Sequence, residues 1–375
     1  MKKNICLLSL SLIFSFEGLA QNVIDSLKIA ISKADSDTNK VKIIEDLTWE
    51  TYLTGDFDAA FKYANDGLSL SMKLKYEKGI ANLYHQIGNI YYSQSNYSKS
   101  IENYLNSLKL KEKLGLRNSL ASTFGSIGNV YQAQGNYDKA LEYQLKGLEL
   151  NKEFNNKYSI GVSLNNIGNV YGRTNRNELA MKYFMEAVTV EEEIEDFYGM
   201  SQSLGNVGNI YKAQKNYVKS LEYILRSLKI QEEIGDKQGI AGSMGNIGTL
   251  YLEQGNYIKA LEYLNASILQ SGELGMKEYV KESYRDLSLT YEKLGQTAKA
   301  LEFYKKFTEL KDSILNDENN KHIAQTSAQY ESEKKDNEIK LLNKDKEKIE
   351  AVAATESKKQ KIIIIAVTLG LLFVL

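Results

Sequence analysis

The segment Ile127-Gly128-Asn129-Val130-Tyr131 returns forty residues later as Ile167-Gly168-Asn169-Val170-Tyr171, and again as Val207-Gly208-Asn209-Ile210-Tyr211. Upstream it reads Ile87-Gly88-Asn89-Ile90-Tyr91. Downstream it reads Ile247-Gly248-Thr249-Leu250-Tyr251, then the worn copy Leu287-Ser288-Leu289-Thr290-Tyr291. A period of this size marks a solenoid. One unit is too small to bury its own apolar face and must stack on its neighbours. Such an array offers a long surface for binding rather than a pocket built for chemistry.

Within residues 121–160, Phe124, Ile127, Gly128 and Tyr131 share one face of a helix by their 3, 4, 7 spacing. Gly135 stops that helix and Asn136 caps the next. Tyr137, Ala140, Leu141, Gly147 and Leu148 then mark the inner face of a second helix, so each unit is a helical hairpin. Gly recurs at 88, 128, 168, 208 and 248, and Ala or Ser recurs at 60, 100, 140, 180, 220, 260 and 300. Gly inside a helix costs about 1 kcal/mol relative to Ala, so its return in register implies a close approach of two helices. The absence of proline agrees with continuous helices whose turns are made by Gly and Asn.

Phe124, Ile127, Gly128, Tyr131, Gly135, Tyr137, Ala140 and Tyr143 fall at the spacings of the tetratricopeptide repeat, which this sequence resembles over residues 41–312, in seven units. The period is longer than that family's usual one, and the closing proline is missing. The resemblance implies an all-α fold, a right-handed α-solenoid of stacked helical hairpins. The unit holding Asn175, Arg176 and Asn177 has lost the turn Gly and aromatic, which suggests a longer turn or changed curvature there. Trp49 and Phe307 mark divergent outer units, and a helix over 22–33, within residues 21–40, would cover the front of the stack.

In that family the first helices line a concave wall that commonly holds an extended peptide. The resemblance places Asn89, Asn129, Asn169 and Asn209 on this wall, with His85 and Asn165 one turn earlier and Tyr92, Gln132, Lys212 and the adjacent Arg173 one turn later. A row of amides, each both donor and acceptor, could pair with a peptide backbone of any sequence. Alternatively, the same asparagines brace adjacent first helices. Arg173, Lys212 and His85 are the cationic residues that could meet a carboxylate. An extended peptide or protein segment is the expected partner.

The two ends have another character. Lys2 and Lys3, an apolar stretch over residues 6–16 and Gly18-Leu19-Ala20 read as a secretory signal of residues 1–20, cut before Gln21. Cys6, the single cysteine, lies inside it. Residues 313–361 read as a charged helix or coiled-coil linker, in which residues 323–360 could pair two copies as a homodimer, although Lys346 breaks the seam. Residues 362–375 are apolar and uncharged. Their fourteen residues span about 21 Å as helix, short of the ~30 Å of a bilayer core, and read as the start of a transmembrane helix in an incomplete chain, or as an anchor lodged partway. The expected setting is export, with periplasmic repeats held at the inner membrane. Repeats, charged helix and membrane segment in that order resemble the sensor half of bacterial signalling receptors of the histidine-kinase type. A membrane-tethered scaffold, or an enzyme whose catalytic part lies past residue 375, are the alternatives.

The net charge of −1 does not suggest nucleic acid, which rewards a strong basic excess. His85 and His322 are far apart, with no ligand cluster between them, so no metal or other cofactor is expected. The glycines of 242–248 imitate a phosphate loop but lack the following Lys-Ser or Lys-Thr, and they fall at the repeat register. No catalytic set can be assembled, and the chain as given reads as a non-enzyme.

Overall fold

Every twentieth residue from 55 to 295 takes a left-handed backbone conformation, with φ between 51° and 82°. These residues set the architecture. The computed structural model describes residues 22–317, together with scattered residues between 319 and 359. The expected signal (1–20), the apolar run 362–375, His322 and most of the 323–360 pairing segment lie outside the described residues. The chain divides into two units, Met1–Ile314 and Leu315–Leu375. In the second, the described residues are helical, and Leu315, Ile349 and Val352 are exposed. Among the described residues, no helix is long and apolar enough to cross a membrane.

The first unit opens with α1 (22–33), which buries Ile24. There follow α2 (Thr38–Leu53), α3 (Phe57–Lys73), α4 (Glu77–Ser93), α5 (Tyr97–Lys113), α6 (Arg117–Ala133), α7 (Tyr137–Glu153), α8 (Lys157–Arg173), α9 (Asn177–Glu193), α10 (Phe197–Ala213), α11 (Tyr217–Ile234), α12 (Lys237–Glu253), α13 (Tyr257–Glu273) and α14 (Lys277–Lys293). Helix α15 begins at 297. Most helices have 17 residues and three-residue links, so two helices make one forty-residue period.

The link after α6 shows how a turn this short satisfies the backbone. The Gly135 N–H donates to the Gln132 carbonyl at 3.0 Å and the Asn136 N–H to the Tyr131 carbonyl at 2.8 Å, closing the helix end. The Asn136 side chain then accepts from the Lys139 N–H at 3.3 Å and caps α7. The changed sequence at 175–177 does not lengthen its turn. Helix α8 ends at Arg173 and α9 starts at Asn177, with Asn175 at φ 57°. Asparagine tolerates the left-handed region well enough to replace Gly. What is lost there is the cap, because Arg176 makes no side-chain bond to the helix start.

Within each hairpin the motif Gly admits a large second-helix side chain. A Cβ added at Gly88 would lie 2.5 Å from Tyr104, at Gly128 2.8 Å from Gln144, at Gly168 2.6 Å from Phe184, at Gly208 2.5 Å from Ile224 and at Gly248 2.7 Å from Leu264. The small second-helix residues add a backbone link, since Ser100 and Ser220 donate to the carbonyls of Gly88 and Gly208 at 2.8 Å. The motif tyrosine stacks on an aromatic twelve residues later, as in Tyr131–Tyr143 at 5.6 Å and Tyr171–Tyr183 at 5.4 Å. A lysine covers many of these rings, Lys139 over Tyr131 at 5.0 Å among them.

Between hairpins, apolar clusters bridge successive units. Ala140, Leu148, Ile160, Leu164, Ile167 and Ala187 form one cluster across α7, α8 and α9. Beside it runs a buried polar seam in which, at four successive junctions, the residue near the end of a second helix meets the next first helix. Lys111 donates to Thr123 at 2.9 Å, Asn151 to Ser163 at 3.1 Å, Ser203 to Glu191 at 2.6 Å and Ser243 to Gln231 at 2.7 Å. Even-numbered helices from α2 to α14 approach the even-numbered helices of adjacent hairpins closely along their backbones, while the odd-numbered helices α3 to α13 stand further apart, α7 and α9 meeting through the long side chains of Lys152 and Glu186 at 3.1 Å. The array therefore closes on the first-helix side and opens on the second-helix side, which makes the first helices the concave wall.

Candidate functional site

On α8 the core stripe runs through Leu164, Ile167, Gly168 and Tyr171. By helical geometry the opposite stripe is Val162, Asn166, Asn169 and Arg173, at steps of four, three and four. The same register gives Gln86 and Asn89 on α4, Asn129 on α6, Asn206 and Asn209 on α10, and Asn246 and Thr249 on α12. This is the lane available to a ligand on the concave wall.

The asparagines of this lane divide into two groups, and the residue fifteen positions later decides which. Asn89 accepts from the Tyr104 hydroxyl at 2.6 Å, and Asn129 from the Gln144 amide at 2.7 Å. Both brace their own hairpin. At the next two units the second helix presents Phe184 and Ile224, which have nothing to donate. Asn169 and Asn209 consequently have no side-chain partner among the described residues. None of the four bridges adjacent first helices: Asn89 and Asn129 bond to the second helix of their own hairpin, and Asn169 and Asn209 have no side-chain partner among the described residues.

The remaining residues singled out above are distributed as follows. Asn165 points into the junction between hairpins, where it donates to Glu191 at 2.8 Å and to Ser203 at 2.6 Å. His85 packs on Tyr104 at 5.2 Å, and its Nδ1 lies 3.3 Å from the Thr123 hydroxyl. Burial first, and then the charge of Lys111, hold its imidazole down at about 3, so it is neutral at physiological pH and is no cation for a carboxylate. Tyr92 is half-buried against Tyr97. Gln132 is half-buried at the end of α6. Arg173 is exposed at the end of α8. Lys212 is half-buried, and its ammonium has no ion pair among the described residues. Burial lowers its pKa from the usual lysine range against the pull of Asp286.

Three further amides belong to the lane and escaped the sequence reading. Asn166, Asn206 and Asn246 are half-buried and have no side-chain partner among the described residues. Their signal is an Asn two residues before the motif Gly in three successive repeats, at 166–168, 206–208 and 246–248. Five partnerless amides therefore lie on α8, α10 and α12. Both ends of the lane make internal hydrogen bonds. Towards the N-terminus Gln86 donates to the Glu45 carbonyl at 3.0 Å, and Tyr52 meets Ser93 at 2.9 Å. Towards the C-terminus Thr249 donates to Asp286 at 2.6 Å, and Arg285 holds the same carboxylate at 2.8 Å. An open cleft lined by Lys78, Asn82, Arg117 and Phe154 lies at the starts of α4 and α6, where Arg117 is already paired with Glu153 at 2.7 Å.

Glycines in the wall differ from those of the motif. A Cβ at Gly172 would meet nothing nearer than Ile210 at 3.6 Å, and one at Gly205 nothing nearer than Ser227 at 3.6 Å. Packing does not demand them, so their effect is to keep the wall bare beside the free amides.

A family model of the tetratricopeptide repeat matches residues 79–153, 119–193, 199–268 and 240–313. That is more than half of the chain, which accordingly belongs to the tetratricopeptide repeat family. Among solved structures, the chain is similar to a signal transduction ATPase with numerous domains and a tetratricopeptide repeat sensor from Pyrococcus horikoshii, at 16% identity and a TM-score of 0.64, covering 75% of this chain and 44% of that one. It is also similar to the apo form of the quorum sensor NprR from B. thuringiensis, at 16% identity and a TM-score of 0.60, covering 80% and 84%. A Rap protein complexed with Competence and Sporulation Factor matches at 13% identity and a TM-score of 0.50, covering 80% and 99%. At these identities the likeness concerns the fold. No curated protein matches the chain.

Proposed function

We propose that this chain is a non-catalytic binding module that holds an extended peptide or protein segment along its first helices, and that it serves as the extracytoplasmic sensor region of a membrane signalling protein. The observation that carries the binding reading is the set of five partnerless amides, Asn166, Asn169, Asn206, Asn209 and Asn246, on three adjacent first helices. An amide can donate to one backbone group and accept from another, and bare wall at Gly172 and Gly205 lets a main chain come close. Adjacent first helices lie about 8–10 Å apart, so α8 to α12 spans about 18 Å, the length of about six extended residues.

The sensor reading takes support from the order of segments in the sequence, with a leader expected at 1–20 and an apolar run at 362–375, and from the similar arrays, two of which belong to proteins described as sensors. A membrane-tethered scaffold is the alternative. It would share the binding face and differ in having no output.

Replacing Asn166, Asn169, Asn206 and Asn209 together by Ala tests the binding reading on an array of six-residue peptides. The expected result is loss of peptide capture with an unchanged unfolding midpoint. Capture that survives the fourfold replacement refutes the lane. Export is tested by fusing alkaline phosphatase after residue 317, since that enzyme becomes active only where its disulfides form. An inactive, fully produced fusion refutes export.

A further inference from the structure

On the outer side of the array, one position of the second helices changes character along the chain. The second residue of these helices is Asp58, Ser98, Asp138 and Glu178 in α3, α5, α7 and α9, then Val218, Ile258 and Ala298 in α11, α13 and α15. An acid there sits in the first turn, where the helix dipole favours it, and α11 and α13 have no acid in that turn. Their apolar side chains are not buried in exchange, since Val218 is 75% exposed and Ile258 73%. Leu225 and Leu269 extend the exposed apolar surface along the same faces of α11 and α13. A single exposed apolar residue is ordinary. Two in register on neighbouring helices begin a patch of the kind that marks an interaction site.

One turn further along each of these three helices stands an exposed acid, Glu222, Glu262 and Glu302. Glu302 is paired with Lys306 at 2.7 Å, as Glu142 is with Lys146 at 2.6 Å. Glu222 and Glu262 have no ion pair among the described residues. Arg226, one turn after Glu222, lies over the Tyr223 ring at 5.5 Å, and the matching place after Glu262 holds Ala266. Lys219 and Lys259, one turn before the two acids, lie over Tyr211 at 5.2 Å and Tyr251 at 5.0 Å. An apolar row beside an acidic row therefore crosses the outer side of α11, α13 and α15.

The spacing of these helices selects the shape of what covers them. Packed helices lie about 8–10 Å apart, and the second helices stand at the wide end of that range or beyond. A helix laid across them rises about 10.5 Å in seven residues, so one face of it, at every seventh residue, reaches α11, α13 and α15 in turn. A strand covers the same distance in about three residues, which puts successive contacts on opposite faces. We propose that the outer face of α11, α13 and α15 docks an amphipathic α-helix of a partner protein. Its apolar side chains, at seven-residue spacing, meet Val218, Ile258 and Ala298, and Lys or Arg along one flank meet Glu222 and Glu262. The site lies on the side of the array opposite the first-helix wall and is independent of the peptide reading above. The acidic row disfavours the other occupants, because it would face its own copy in a dimer and the like charge of an anionic membrane.

The test uses the full chain and three fluorescein-labelled helical peptides of three heptads each, built on Ala and Gln. One carries Leu at every seventh residue with Lys beside it. The second keeps the Leu stripe and carries Glu in place of Lys. The third has the composition of the first in scrambled order. Fluorescence anisotropy at low salt should show the first binding about tenfold more tightly than either of the others. Val218→Asp with Ile258→Asp, which copies Asp58 and Asp138, should weaken that binding about a hundredfold and leave the thermal midpoint at or above that of the parent. Glu222→Gln with Glu262→Gln should bring the Lys and Glu peptides level. The fourfold asparagine replacement should change none of this, so failure of the wall and failure of this face are read separately. Binding of the first peptide no tighter than the scrambled one, or binding that survives the paired Asp replacement, overturns the proposal. A chain that sediments as a dimer only while Val218 and Ile258 are intact gives the face to a second copy, and binding to phosphatidylglycerol vesicles that the same pair abolishes gives it to a membrane; either result overturns the proposal too.

Discussion

Gly168 and Gly172 lie one helical turn apart on α8, and exchanging each for Ala should move stability in opposite directions. In an unconstrained helix either change would stabilise by about 1 kcal/mol, because Gly loses more backbone freedom on folding. At Gly172 nothing opposes that gain, since the new methyl would sit 3.6 Å from Ile210 and 4.0 Å from Ala180, which are ordinary contacts. At Gly168 the methyl would sit 2.6 Å from Phe184 Cε1 and 2.7 Å from its Cδ1, about 1 Å inside a normal carbon–carbon separation. Phe184 is only 2% exposed and packs with Ala180, Val207 and Ile210, so its ring has no free space to enter. Overpacking of this kind costs about 1–3 kcal/mol, which outweighs the helix term and leaves a net loss near 1 kcal/mol. The two variants should therefore differ by about 2 kcal/mol. Urea unfolding of the full chain, followed by circular dichroism, reads this as midpoints displaced to either side of the parent. Midpoints are the right comparison because stacked arrays need not unfold in one step. Repeating Gly168→Ala in a Phe184→Ala background should remove its cost, as a double-mutant cycle requires for a contact between the two sites. If Gly168→Ala stabilises the chain as much as Gly172→Ala does, the packing account of the repeated motif is wrong.

Three further outcomes follow from the same structure. Lys215 holds φ 60°, where a side chain is strained and Gly is not, so Lys215→Gly should raise stability by about 1 kcal/mol and Gly135→Ala should lower it, both read as thermal midpoints. Asn89→Ala removes the acceptor of the Tyr104 hydroxyl and should cost about 1–2 kcal/mol, whereas Asn209→Ala should leave the midpoint in place; equal losses would contradict the division between braces and free amides. Burial raises the pKa of the Glu191 carboxyl above the ordinary carboxylate value, so its contribution is full below the unfolded pKa and is lost as pH rises through the folded one. Glu191→Gln, which copies Gln231 of the next repeat, should therefore stabilise the chain at neutral pH and flatten its pH–stability profile above about pH 4.5, a result checked by unfolding at several pH values.

Much of the fold was legible from local chemistry. The 3, 4, 7 spacing of Phe124, Ile127, Gly128 and Tyr131, the stop at Gly135 and the cap at Asn136 each act within a few residues, and together they specify a hairpin that must stack. The same information predicted that small residues mark a close helix approach. It did not reveal that Tyr104, Gln144, Phe184, Ile224 and Leu264 fill the spaces those glycines leave. The longer turn it suggested at Asn175 does not occur, because a left-handed asparagine keeps a three-residue turn where the sequence pattern had lost its Gly.

The candidate site was legible only as a row of positions. Asn89, Asn129, Asn169 and Asn209 are identical in type and register, and nothing local separates them. Their difference arises across the hairpin, where the side chain fifteen residues later either donates to the amide, as Tyr104 and Gln144 do, or cannot, as with Phe184 and Ile224. His85 likewise looks cationic by residue type, and it is the packing of Tyr104 and the charge of Lys111 around it that keep it neutral. Periodicity, which is a short-range property of the chain, thus determined that helices pair and stack. Which polar groups remain free for a ligand was decided by contacts between residues on different helices, because a hydrogen bond or a desolvation cost depends on the neighbour that tertiary packing supplies.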